Sequence, residues 1–88
     1  MDQAPFNAHE LEVSYQLLYM HGREGGHPPG DFNGHLIRAM MHADYFKLSR
    51  ILLVFPHFQR PVEALTQHGS DELVYQVDRA KRAMEEKK

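Results

Sequence analysis

The chain has 88 residues, 42% hydrophobic and 25% charged, with no cysteine. These values exclude a disulfide framework, a thiolate metal site and an intrinsically disordered chain, and they leave room for one hydrophobic core. The formal charge of −2, with the seven histidines neutral, supplies no global positive field toward nucleic acid or anionic lipid, although below about pH 6.5 the histidines charge and reverse that sign.

A chain of this length buries only roughly 60–65% of the surface its unfolded form exposes, so association with a partner is one route to added stability. Met1, Asp2, Gln3, Ala4 and Pro5 lack the basic and apolar regions of a signal peptide, and the longest purely apolar run is 51–55. The expectation is a soluble, cytoplasmic protein with no membrane segment.

In chain order, residues 1–7 read as a flexible lead-in. Asn7 followed by Glu10 forms a variant of the capping box, and Leu11, Tyr15 and Leu18 recur at intervals of four and three, which predicts a first helix over 9–21. Val13, Leu17 and Met20 add a second apolar row that either widens the core stripe or stays free for a partner.

Residues 22–30 carry Gly22, Gly25, Gly26, Gly30, Pro28 and Pro29, a composition that ends one helix and forbids another. No strand precedes this loop and no Gly-Lys-Ser/Thr follows it, so it reads as a connector or as a partner-binding loop offering Arg23, Glu24 and His27. Asp31 reads as the N-cap of a second helix over 32–43, with Phe32, Leu36, Met40 and Ala43 on one face and Ile37 and Met41 beside them.

Asp44 then opens a third helix over 45–55, with Leu48, Ile51, Leu52 and Phe55 at core spacing. Because Leu53 and Val54 fill the remaining positions, its second half is apolar nearly all round and is expected to be the most buried element. Pro56 and Pro61 bracket a turn, with Pro61 opening a short helix that carries Val62 and Leu65 and closes at Gly69.

Ser70 reads as the cap of the last helix, with Asp71 and Glu72 in its first turn and Arg79, Lys81, Arg82, Lys87 and Lys88 toward its end. Leu73, Val77, Ala80 and Met84 form a seam for core packing or for a second copy, Asp78 and Arg82 are spaced for an ion pair, and 85–88 is expected to fray. With no period-two alternation and no repeat, the fold class is all-α: one domain over 1–88, a bundle of four to five short helices.

The histidines offer little as metal ligands. His35 and His42 share a helix face but stand about 10.5 Å apart along the axis; His9 with Glu12 has chelating spacing, and His21, Glu24 and His27 could meet through the loop, but nothing in the spacing selects either. Ser14, Ser49 and Ser70 lack the context of an activated nucleophile. No cofactor and no metal are expected, and the chain reads as non-enzymatic.

The second helix, Asp44 and the third helix superficially suggest helix-turn-helix. The third helix offers only Lys47, Ser49 and Arg50 as polar contacts and is needed for the core, so nucleic-acid binding is the alternative to the leading reading, a protein-interaction module. Its candidate partner-binding residues are Val13, Leu17, Arg23, Glu24, His27, Leu73, Val77 and Met84, and it could be a homodimer.

Across 15–58, Leu17, Leu18, Tyr19, Met20, the glycine-proline loop, Phe32, Leu36, Ile37, Ala39, Ala43, Asp44, Leu48, Phe55 and Pro56 resemble small helical proteins of actinobacterial phages and prophages. The chain departs from that pattern at Lys47, where asparagine is expected, and over its C-terminal helix. The resemblance implies the cytoplasm of an infected or lysogenic host and an accessory role such as interference with a host protein; no catalytic residues come with it.

Overall fold

The computed structural model describes residues 3–86. Five α-helices make up most of these residues: α1 (Ala8–Met20), α2 (Asp31–His42), α3 (Tyr45–Val54), α4 (Gln59–His68) and α5 (Ser70–Glu86), with a 3₁₀ turn at Pro56–Phe58 leading into α4. No strand occurs among them. The all-α expectation holds.

The start of α1 is the capping box read from the sequence. The Asn7 side chain accepts from the Glu10 backbone N–H at 2.8 Å, and Glu10 returns the bond to the Asn7 N–H at 2.9 Å. At the other end Gly22 takes φ +70°, and the N–H groups of Gly22 and Arg23 close on the carbonyls of Tyr19 and Leu18, the 5→2 and 6→1 bonds of a Schellman ending.

Two caps differ from expectation. Asp31 lies inside α2, whose N-cap is Gly30 with no side-chain bond. Ser70 is the first residue of α5 rather than its cap: the Gly69 carbonyl meets the Leu73 N–H, while the Ser70 hydroxyl accepts from Arg23 at 2.7 Å. The helix expected to open at Pro61 starts two residues earlier, at Gln59, which puts Pro61 buried in the first turn of α4; that turn requires no proline N–H, so the position is tolerated.

The core is built from α1, α4 and α5 with the 3₁₀ turn wedged among them. Leu17, Phe58, Val62, Leu73, Val77 and Ala80 are at most 4% exposed and form its centre. Ile37 and Met40 anchor α2 to this body and Leu52 anchors α3. Asn33 of α2 also donates to buried Gln16 of α1 at 2.9 Å.

This arrangement overturns the expectation that the third helix is the most buried element. Leu48, Ile51, Leu52 and Phe55 do face the body, but Leu52 alone is buried, and Leu53 and Val54 are 74% and 70% exposed. A helix that is apolar all round needs neighbours on every side, and a chain of this size has too few elements to wrap one.

The N-terminal stretch, expected to be a flexible lead-in, is tied down where it is described. Phe6 is buried, and Arg60 donates to the carbonyls of Ala4 and Pro5. At the other end α5 remains helical through Glu86; the remaining positions of both terminal expectations, Met1, Asp2, Lys87 and Lys88, lie outside the described residues.

Candidate interaction surface

Capping and amphipathic spacing together determine which side of α3 faces out. The Asp44 carboxylate accepts from the Lys47 N–H at 2.8 Å and fixes the first turn. With Leu48, Ile51, Leu52 and Phe55 turned inward, the helix period places Phe46, Arg50 and Leu53 along the opposite ridge at i, i+4 and i+7. Tyr45 and Ser49 flank the ridge on one side, Lys47 and Val54 on the other.

Tyr45 and Phe46 are 79% and 78% exposed, and their rings meet edge to face with centroids 6.3 Å apart. The Ser49 hydroxyl donates back to the Tyr45 carbonyl, so it lies along the helix. Tyr45 also walls a groove of about 260 Å³ between α3 and α4, shared with Leu48, Leu52, Val62 and Thr66. On α2, Phe32 is exposed and its ring stands 6.0 Å from that of Phe55, on the inward side of α3.

Isolated apolar residues are ordinary on protein surfaces, and exposed Tyr75 on α5 is such a case. Two aromatic and two aliphatic side chains, all 70% or more exposed on one short helix, are not. The helix itself carries Lys47 and Arg50, Asp44 is held as its cap, and Glu63 stands across the groove from Tyr45. His35, Arg38 and His42 lie exposed along the outer side of α2.

The residues singled out from sequence are placed elsewhere. Val13, Leu17, Leu73 and Val77 are buried and Met84 packs against the core, so the second apolar row of α1 and the seam of α5 are interior rather than open to a partner. Both rows found neighbours because α1, α4 and α5 pack on one another. Arg23 is half-buried and ties the loop to α5 through Ser70 and Asp71, at 2.7 and 2.9 Å. Glu24 is exposed. The His27 ring lies over Tyr15 at 4.5 Å and its backbone N–H donates to the Tyr15 carbonyl, so the loop folds back along α1.

The expectation that the second half of the third helix is buried all round places Leu53 and Val54 in the core. A signal for exposure is nonetheless present in the sequence: 45–55 holds more apolar positions than one inward face can use.

Buried Ser14 and Glu10 are engaged internally. Ser14 is fully buried and donates to the Glu10 carbonyl at 2.7 Å. Glu10 receives Arg60 in a two-pronged pair at 2.6 and 2.8 Å, and the guanidinium holds the Glu10 carboxyl below its ordinary pKa while burial opposes the shift. The Arg60 guanidinium also lies over the Phe6 ring at 5.1 Å.

His9 and His57 stand 6.5 Å apart beside a depression that Glu10 also lines. Among the described residues no three His, Asp or Glu side chains gather in a group that could hold a metal ion. The Asp78–Arg82 pair expected on α5 is not formed; the salt bridges among the described residues are Arg23–Asp71 and Arg60–Glu10. No described helix is long and apolar enough to cross a membrane.

Comparison with protein-family models, curated proteins and solved structures gives no match to this chain. The functional reading therefore rests on the surface itself.

Proposed function

We propose that this chain is a non-enzymatic protein-interaction module that docks through the outward face of α3. The observation that carries the reading is the exposure of Tyr45, Phe46, Leu53 and Val54 on one helix, each at 70% or more. Phe46 and Leu53, spaced i and i+7 on this ridge, have the spacing of anchors with which a helix enters an apolar groove on another protein. Burial of such a ridge gives a small domain the apolar area that its own core cannot absorb.

The helix-turn-helix alternative is weakened by a different feature from the one the sequence suggested. The outward face of α3 is free, but its centre is Phe46 and Leu53 with one arginine, whereas a helix in the major groove presents hydrogen-bonding side chains to base edges. An accessory role in the cytoplasm of a phage-infected or lysogenic host belongs to the same proposal and rests on the resemblance over 15–58.

Affinity capture from an actinobacterial lysate tests it, with the full chain and its Phe46→Asp and Leu53→Asp variants as parallel baits. The expected result is a protein retained by the wild type and lost by both variants while their helical circular dichroism is unchanged. Capture that ignores both substitutions, or no capture at all together with a strictly monomeric chain, overturns the reading.

A further inference from the structure

Resting on that reading, the geometry points to a second copy of this chain as the occupant of the α3 ridge, in an antiparallel helix pair about a two-fold axis. The first reason is the pattern along the helix. An isologous interface requires that when residue i meets j, j meets i, and the α3 ridge satisfies this in one register. With the axis between Ser49 and Arg50, Phe46 meets Leu53 of the second copy at the centre of the ridge, and Tyr45 and Val54 cover its two opposite flanks. Each Phe46 ring then faces a smaller aliphatic side chain, and Arg50, the one charge on the ridge, lies beside the axis.

The second reason is area. At their observed exposures of 70–79%, Tyr45, Phe46, Leu53 and Val54 offer on the order of 450 Å² of side-chain surface, taking aromatic side chains at roughly 150–250 Å² and the aliphatic ones at about half that. A standard interface buries about 800 Å² per partner, of which a little over half is apolar. The area of the ridge and its flanks therefore matches the apolar part of one such interface, and exposed Lys47 lies at its rim.

Charge separates this occupant from others. The two Arg50 side chains flank the axis and repel, so added salt strengthens the pair, whereas an acidic partner protein or an anionic membrane would be released by salt.

Sedimentation equilibrium of the full chain, from low micromolar to near-millimolar concentration, tests the inference. Wild type is expected to move from 10.2 kDa toward twice that mass, and to do so at lower concentration as salt is raised. Phe46→Lys and Leu53→Glu should each weaken self-association at least tenfold with helicity retained. Mixing these two variants should restore a dimer, because the register brings the introduced lysine of one against the introduced glutamate of the other and leaves one Phe46–Leu53 contact intact.

A wild-type chain that stays monomeric throughout overturns the inference, as does a dimer indifferent to both substitutions or a mixture that fails to re-associate. A monomer that co-sediments with phosphatidylserine vesicles, or that captures another protein through Phe46 and Leu53, also overturns it; the second of these results leaves the docking reading standing.

Discussion

Arg60 grips Glu10 across 50 positions of sequence, with Nη2 at 2.6 Å from one carboxylate oxygen and Nε at 2.8 Å from the other. The pair joins the first turn of α1 to the first turn of α4, and the same guanidinium reaches back to the carbonyls of Ala4 and Pro5. One side chain thus connects the N-terminal stretch, the α1 cap and α4. Arg60→Met should cost about 1.5–3 kcal/mol, the range for hydrogen bonds to a charged group, or a melting temperature lower by at least about 6 °C. Thermal unfolding checks it, and a shift smaller than that of an ordinary surface substitution would show the pair to be incidental.

The same pair makes stability depend on pH. The folded Glu10 carboxyl titrates below its ordinary value of 4.5 because Arg60 binds the charged form. The unfolded chain therefore takes up the proton first as pH falls. The contribution of Glu10 is whole above about pH 5, declines as pH drops through 4.5 toward the folded value, and is gone below it. Glu10→Gln should be less stable than wild type at neutral pH, and urea midpoints of the two proteins should converge in acid; a constant gap between about pH 7 and about pH 3 contradicts this origin.

Leu52 and Leu53 are neighbours in sequence and opposites in environment, 7% and 74% exposed. Leu52→Ala should destabilise the fold by about 2–4 kcal/mol, as loss of a buried leucine does. Leu53→Ala should stay within about 0.5 kcal/mol of the wild-type monomer. Equal costs in dilute denaturant titrations would mean that α3 is buried on both sides.

A β-carbon at Gly26 would fall 2.3 Å from the Tyr19 nitrogen and 2.7 Å from the Tyr15 carbonyl oxygen. Both are backbone atoms and cannot turn aside, so Gly26→Ala should cost roughly 1–3 kcal/mol by overpacking. Gly30, with open space around it, should accept serine and gain a few tenths of a kcal/mol through a side-chain cap on α2. Amide exchange at His27, whose N–H bonds the Tyr15 carbonyl, should quicken in the first variant and not in the second.

Leu73 is fully buried. Leu73→Ala should lower stability by about 2–5 kcal/mol without altering the mass measured in solution. A variant that folds as well as wild type but changes its state of association would place the seam of α5 on the surface after all.

The sequence by itself determined what depends on neighbours a few positions away. The capping box of Asn7 and Glu10, the Asp44 cap, the break across 22–30, the helix end at Gly69 and the existence of five helical segments follow from local hydrogen bonding and backbone preference. Tertiary structure alone decided which apolar stripes became core. Val13, Leu17, Leu73 and Val77 were buried because α1, α4 and α5 close on one another, while Phe46, Leu53 and Val54 remain exposed because none of the described residues covers the far side of α3. A stripe of leucines has the same period whether or not a neighbour covers it, so periodicity located the helices and packing chose the surface.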